Sequence, residues 1–571
     1  MDKHEIGQIF THISVMLQIK GENSFKIRAY ENAARAIELL DKDIALLISE
    51  QKLKEIKGIG NTLAAQISEL VTTGRLEFYE ELRRAIPPGI FELLKIPGLG
   101  PKKVKVLYDQ LNITTAGELE YACRENRLVD LPGFGKKTQQ NVLQGIEFIK
   151  QFHGQFLLSD ILPVARQVMT DLRKHPLVIQ GEVGGSLRRC KEIAKDIDLL
   201  VSSSDSISVA EYFFKLPIVK NIIAKGDTKI SVSLYTGMNV DLRIVTNEQF
   251  PYALHHFTGS REHNTAMRHR AKAMGFKINE YGLFQGEQLV RCEDEVSFFT
   301  ALGLQYIPPE LREDNGEIEA AERGEIPVLV EEADLRGIFH AHTVYSDGSA
   351  TLLEMAEAAQ ARGYRYIGIT DHSRSAAYAR GLQEDALLRQ SAEIDSLNVH
   401  WKDFKILKGI ECDILADGSL DYSDEVLSQF DFVIASVHSQ FRMTETDMTR
   451  RIVIAMDNPY VTILGHPTGR LLLSREGYPL NMQEVIQAAA RSNTVIEINA
   501  NPYRLDLDWR WCKYAKEQGV LLSINPDAHA PDELDYISYG IGVARKGWLT
   551  AADILNTRTL EDLVPLLKRK R

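Results

Sequence analysis

The sequence predicts a multidomain protein of α and α/β class: an all-helical N-terminal part, an α+β middle, and a C-terminal distorted (β/α)7 barrel. Three observations carry this. At 571 residues the chain exceeds what one core organises, since a domain takes roughly 100–200 residues. The first 150 residues keep a helical period broken at Gly-rich turns, with no period-2 strands. Beyond residue 335, seven apolar runs alternate with helical segments, the pattern of a parallel barrel.

In the helical part, three breaks repeat one form: LKEIKGIGNTLAAQI around Gly58 and Gly60, LKIPGLGPKKVKVL around Gly98 and Gly100, and VDLPGFGKKTQQNVL around Gly133 and Gly135. Each ends a helix, turns through Gly-apolar-Gly and starts another helix. Such turns permit tight backbone geometry and present amide groups at a helix N-terminus, which suits a phosphate oxygen. A single copy reads as a hairpin turn; three copies shift the balance. Lys102, Lys103, Lys136 and Lys137 follow two of the turns and add charge where a DNA backbone would lie. The repeats resemble helix-hairpin-helix DNA-binding motifs, which grip nucleic acid without specifying a chemistry.

From about residue 155 to 310, strand-like runs DIDLLVSS, TKISVSLY and MNVDLRIV alternate with helices. In GEVGGSLRRCKEIAKDIDLLVSS, the turn Gly184-Gly185-Ser186 ahead of Arg188 and Arg189 makes a plausible phosphate cradle. Asp196 and Asp198 follow two apart on one strand, so their carboxylates share a face. Asp241 lies opposite Val240, Leu242 and Ile244 on a second strand and adds a third carboxylate. Any one of these aspartates alone reads as a solvated strand face. Three of them beside a phosphate-binding turn can hold two divalent ions for nucleotidyl transfer.

GGSLRR, the spacing to DID and the later VDLR resemble the palm of family X polymerases related to DNA polymerase beta, and the thumb resembles that family too. FTGSREHN, Phe257 to Asn264, resembles its nucleotide-selecting segment, and NEYGLF from Asn279 its closing strand. The resemblance implies that Asp196, Asp198 and Asp241 bind Mg²⁺ or Mn²⁺, with Asp241 activating the primer 3′ hydroxyl. It implies that Gly185, Ser186 and Arg189 hold the triphosphate and that Phe257, Gly259 and Asn264 line the incoming nucleotide. Two positions depart from the animal enzymes. His256 stands where a Tyr precedes the Phe, so ribonucleotide exclusion is not implied. Gln66 replaces the Schiff-base lysine, and its amide supplies no amine nucleophile, so no lyase activity is expected by that route.

Residues 311–334, dense in acidic residues, read as a solvated connector. After it, RGIFHAHT, YIGITDHS, ILKGIECDI, DFVIASVHS, VTILGHPT, TVIEINANP and LLSINPDAHAP each end an apolar run, and six of the seven carry His, Asp or Glu at the carboxyl end. A β/α barrel assembles its active site there. His340, His342, Asp347, His372, Glu411, His438, His466, Asp527 and His529 make nine candidate ligands, whose nitrogen and oxygen donors suit Zn²⁺, Mn²⁺ or Fe²⁺ better than Mg²⁺. A lone histidine such as His4 or His400 reads as structural or surface; six at equivalent strand ends do not. The pattern resembles the polymerase and histidinol phosphatase (PHP) phosphoesterases throughout residues 335 to 571. That implies up to three ions: one on His340, His342, Glu411 and Asp527, a second bridged by Glu411 to His438 and His466, a third on Asp347, His372 and His529.

The expected boundaries are 1–85 and 86–154 for two helical domains, the second fingers-like, 155–245 for the palm, 246–310 for the thumb, 311–334 for the connector and 335–571 for the barrel. The partners implied are gapped or nicked DNA with primer termini and deoxynucleoside triphosphates, and the function implied is short-gap filling in repair with 3′-end processing or abasic-site incision. A small-molecule phosphatase is the rival the helical repeats oppose; a noncatalytic DNA-end scaffold is the rival that the intact ligand sets oppose. A net charge of −12 does not favour nucleic acid, but it averages over local patches. No apolar run nears the roughly 20 residues of a membrane span, and the first residues do not resemble a secretory signal, so the cytoplasm is the expected compartment; the sequence carries no oligomer signal, and a monomer is the default expectation. Five scattered cysteines without a CxxC pair argue against disulfides or a thiolate zinc site.

Overall fold

The computed structural model describes residues 3–38, 44–50, 52–56, 58–87, 89–96, 98–150, 154–226 and 229–568. The chain forms two compact units, Met1–Ile149 and Lys150–Arg571. No described helix is long and apolar enough to cross a membrane.

The first unit contains helices and no strand among its described residues. Its turns share one geometry. Gly58, Gly98 and Gly133 adopt φ of +101°, +85° and +82°, a left-handed region that a side chain would strain. Gly60 and Gly100 are then N-caps of helices Asn61–Thr73 and Pro101–Leu111, without a side-chain cap. A Cβ at Gly60, Gly100 or Gly135 would meet nothing within 4 Å, so the backbone there is open to close approach. Ile59, Leu99 and the helices behind them anchor each turn in one apolar core.

The second unit begins with a five-stranded mixed sheet. Strand Asp196–Ser203 lies antiparallel to Val178–Val183 and parallel to Asn239–Val245, which continues antiparallel to Lys229–Leu234 and then to Val219–Lys225. Ile197, Leu199 and Val201 alternate into its core with Val240, Leu242 and Ile244, which leaves Asp196, Asp198 and Asp241 on the other face. Helices Phe250–Thr258 and Arg261–Ala273, an antiparallel three-stranded sheet and helix Glu295–Ala301 follow.

Residues 311–334 correct the expectation of a solvated connector. Leu311, Ile318, Ala320, Ala321, Ile326 and Leu329 complete the core of the preceding segment, helix Glu317–Arg323 forms within it, and Arg312 and Glu317 are fully buried. The acidic residues hid this because Glu317 is satisfied by His263 and by two backbone amides, and Glu313 by cations, so neither is solvated.

The barrel follows in two parallel arcs. Gly337–Ala341, Tyr366–Ile369 and Lys405–Lys408 form one; Glu411–Asp413, Ile434–Ser436, Ile463–Leu464, Val495–Asn499 and Leu522–Asn525 form the other. A His372–Glu411 bridge joins the arcs, and an Ala341–Ala528 bridge closes the ring. The run ILKGIECDI is interrupted at Gly409, where a Cβ would lie 2.4 Å from the Phe432 ring. Phe339, Tyr366, Leu407, Phe432 and Val495 pack on one face of the ladder, closed by helix Leu560–Leu567, and the flanking helices pack on the other.

Candidate active sites

The barrel brings all nine expected ligands together. Their donor atoms form four overlapping sets, each within 4.8 Å: His342, Asp347, His372 and His529; His340, His466 and Asp527; His340, His342 and Glu411; His372, Glu411 and His438. Glu411 is the hub. Its Oε1 lies 2.9, 3.2 and 3.4 Å from Nε2 of His466, His438 and His340, and its Oε2 lies 2.9 and 3.7 Å from His372 Nδ1 and His342 Nε2. The implied three-way grouping is blurred, because His340, His342, His372 and Glu411 each belong to two sets. The strand ends are bent to achieve this: His340, His466 and Asp527 take positive φ, a conformation costing on the order of 1–3 kcal/mol each.

The donor set fits metal. His342 is fully buried and makes no hydrogen bond through either ring nitrogen, and His340 Nε2 and His466 Nδ1 are likewise buried without one. Burial, with His529 and His372 beside it, pushes His342 down to about 3, and burial with Arg504 nearby takes His466 to about 4, so both imidazoles are held neutral. Burial would lower His340 too, but the charges of Glu497, Asp527 and Glu411 raise it instead. A pocket that excludes water and offers bare imidazole beside carboxylate calls for cations.

A shell that the sequence reading missed orients these ligands. Glu497, fully buried, accepts from His340 Nδ1 at 2.6 Å, from the His466 amide at 2.7 Å and from Asn525 Nδ2 at 2.9 Å. Asp413 does the same for His438 Nδ1 at 2.6 Å. Asp371 gathers Thr343, Ser346 and Gln390 and so shapes the loop to Asp347. Each sits in a strand-end motif, at ECD, IEIN and TDH, which is the signal that could have found them.

In the sheet of the middle segment, Asp198 and Asp241 are partners in parallel register and Asp196 pairs with Asn239. Gly184 N donates to the Asp198 carbonyl at 2.8 Å, which lays the turn across the strand end. Gly185 is obligatory there: its φ is +58°, and a Cβ would lie 2.1 Å from Asp198 Oδ2. Burial and the like charges of Asp196 and Asp241 raise Asp198 to about 6. Carboxylates clustered so that their charges oppose one another fit divalent ions. The three are not, however, drawn into a set of ligand atoms within 4.8 Å of one another, as the barrel ligands are. Asp241 instead holds Ser231 Oγ at 2.5 Å and Lys229 Nζ at 2.6 Å.

Arg189, expected to hold the triphosphate, has two of its three nitrogens engaged within the protein. Its Nε donates to Glu313 at 3.0 Å and its Nη1 to the Thr258 carbonyl. Gly259 (φ +70°) leaves space for it, since a Cβ would lie 3.0 Å from Arg189 Nη1. Ser186 is half-buried in the same turn. Phe257 lies under the Arg243 guanidinium at 4.0 Å, and Asn264 Nδ2 donates to the His256 carbonyl at 2.7 Å. Arg188, read from the sequence beside the cradle, is instead paired with Glu295 at 2.7 Å, and Glu295 with the buried Arg312 at 2.5 Å, two residues that were not foreseen.

In the helical unit, Lys102, Lys136 and Lys137 are exposed, whereas Lys103 turns back to donate to the Gly98 carbonyl at 3.2 Å. Gln66 accepts from Tyr30 at 2.9 Å.

Family models match in the same order. A helix-hairpin-helix domain covers residues 1–76, a SAM-like helix-hairpin-helix tandem 90–147, a DNA polymerase beta thumb 253–313 and a PHP domain 339–501. The chain is 30% identical to a probable phosphatase of Thermoanaerobacter sp., across 38% of this chain and 89% of that protein, and 28% identical to a probable phosphatase of Acetivibrio thermocellus, across 41% and 95%. Over its full length it is 40% identical to the DNA polymerase/3′-5′ exonuclease PolX of Bacillus subtilis, with 100% of both chains covered. With one partner matching end to end and the thumb, helical and barrel models each in place, the chain belongs to the family X DNA polymerases that carry a C-terminal PHP domain.

Proposed function

We infer that the protein is a DNA-directed DNA polymerase that fills short gaps during repair, and that its barrel is a metal-dependent 3′-5′ exonuclease acting on the same primer ends. One observation carries the reading: a chain alike over its full length to a polymerase/exonuclease keeps both the paired Asp198 and Asp241 under the Gly185-Ser186 turn and all nine barrel donors. The helical turns, with Lys102, Lys136 and Lys137 exposed, bind the phosphates of gapped or nicked DNA. Gly185, Ser186 and Arg189 take the triphosphate of the incoming deoxynucleotide, and Phe257, Gly259 and Asn264 flank its sugar and base. Asp241 receives the proton of the primer 3′ hydroxyl.

Asp196, Asp198 and Asp241 would hold Mg²⁺ or Mn²⁺, and the barrel donors up to three ions of Zn²⁺, Mn²⁺ or Fe²⁺. Such ions, when bound, acidify an attacking hydroxyl or water and neutralise phosphate charge. In the barrel, Glu411, Asp347 and Asp527 supply the anionic ligands, Glu497 and Asp413 fix the imidazole tautomers, and the buried walls keep bulk water out. Removal of 3′ phosphates and incision at abasic sites suit the same donors, and the match to probable phosphatases favours the former as a second activity of the barrel.

A gapped-primer assay tests the division. Asp196→Ala with Asp198→Ala should abolish extension and leave 3′ shortening, and His342→Ala should do the reverse. Loss of extension alone after His342→Ala would sink the assignment.

A further inference from the structure

The turn that carries Ser186 and Arg189 is not held by the palm alone. Glu313, which receives Arg189 Nε at 3.0 Å, also receives Lys191 Nζ at 3.2 Å and, from the barrel, Lys546 Nζ at 2.5 Å. Lys546 further donates to the main-chain carbonyl of Arg189 at 3.1 Å and to that of Glu310 at 3.4 Å. An ammonium has three N–H donors, so every one is used. The residue is 1% exposed, its charge 4.7 Å from the Trp509 ring centroid. It ends helix Ile537–Lys546, in which Gly542 packs so closely that a Cβ would lie 3.2 Å from the Cys190 Cβ.

If the only role of these contacts were to fasten the barrel to the rest of the unit, any surface pair would serve. The bridge from Glu192 to Arg470 at 2.7 Å, continued from Arg470 to Asp508 at 2.6 Å, already does that. Lys546 instead meets Arg189 twice, at its carbonyl and through the carboxylate that grips its guanidinium. With Nε and Nη1 engaged, Nη2 is the Arg189 nitrogen left without a partner among the described residues. Three cations, Arg189, Lys191 and Lys546, surround one carboxylate, so the turn keeps surplus positive charge that suits a polyanion.

We propose that Lys546, although it belongs to the hydrolase barrel, is a positioning residue of the polymerase site: with Glu313 it fixes the Arg189 main chain and guanidinium so that Nη2 faces a triphosphate oxygen. Nucleotide binding in the palm thereby depends on the barrel being docked. The inference rests on Arg189 being the triphosphate ligand.

The test uses the full chain on DNA with a one-nucleotide gap. Binding of dTTP opposite adenine is measured on a dideoxy-terminated primer in Ca²⁺, where no chemistry occurs, and insertion on an extendable primer in Mg²⁺. Lys546→Met should raise the dTTP Kd about tenfold, the scale for losing hydrogen bonds to a charged group. Insertion at saturating dTTP and 3′ shortening should stay within about twofold, a split that marks lost ground-state positioning. Lys546→Arg should restore most of the affinity. Glu313→Gln should weaken binding as Lys546→Met does, and Glu192→Gln, which cuts the other bridge, should not. An unchanged Kd in Lys546→Met or in Glu313→Gln overturns the proposal, and so does an equal loss in Glu192→Gln, which would indicate general loosening. If the wild type itself shows no templated dTTP binding, the polymerase reading falls first.

Discussion

At the scale of single residues, the chemistry of each site depends on groups that touch no reacting atom. Glu497 holds His340 by Nδ1 and His466 by its amide, and its negative charge raises the basicity of the imidazole it orients. Glu497→Gln should therefore lower 3′ shortening and retained metal by about 10–100-fold while extension is unchanged, with elemental analysis of the purified protein as the check. Glu295 makes a pH prediction. Burial alone would raise its carboxyl, but Arg312 and Arg188 carry it down to about 2 from an ordinary 4.5. A carboxylate depressed by folding contributes stability above its unfolded pKa and loses it as pH falls through its folded one. On the order of 3 kcal/mol should disappear between pH 4.5 and about 2. Thermal melts across that window should show the decline, and Glu295→Gln should flatten it. The aspartates and histidines proposed to carry the chemistry were legible in the sequence because they recur at strand ends and strand alternation fixes which face a residue takes. Glu497 and Asp413 stood in legible strand-end motifs beside the ligands, but Glu295 and Glu313 were not legible, since nothing in a local pattern separates a carboxylate that a distant cation satisfies from one that water satisfies.

At the scale of elements, the Gly-apolar-Gly turns and the barrel strand ends could be read because each repeats, and the repetition carries the signal that a single copy lacks. The second glycine of each turn has open space where a Cβ would be, and the lysines after it are exposed except Lys103, whose local hydrogen bond to Gly98 no spacing argument foretells. Lys136→Ala with Lys137→Ala should weaken DNA binding uniformly across sequences and reduce the slope of log K against log salt by roughly one per lysine. Fluorescence anisotropy at several salt concentrations reads this directly, and an unchanged slope would remove these lysines from the phosphate contact. Gly185→Ala acts on another element. The Asp198 carboxylate cannot escape a Cβ at 2.1 Å from its Oδ2 without turning from its place beside Asp241, so extension should fall by about 10²-fold with 3′ shortening intact.

At the scale of the molecule, the charge pattern of residues 311–334 suggested a place to cut, and the fold says otherwise. This segment supplies Leu311, Ile318, Ala320, Ala321, Ile326 and Leu329 to the core of the thumb, and the barrel adds Trp548, 7% exposed, to the same core. The Val330 amide donates to the Leu549 carbonyl at 2.9 Å, and Arg545 donates to the Val330 carbonyl at 3.2 Å and to Glu310 at 2.7 Å. A chain ending at residue 334 keeps every palm and thumb residue but removes that indole. Truncating a buried Trp costs about 3 kcal/mol or more. For a unit of this size the melting transition should drop by roughly 6–12 °C. The exposed core should bind a hydrophobic dye at temperatures where the full chain does not. Polymerization by such a fragment should suffer through both instability and the loss of Lys546. Adding back stability with an osmolyte should restore the first component and leave the elevated dTTP Kd. A fragment that melts with the full chain and binds dTTP as tightly would show that palm and thumb are complete without the barrel.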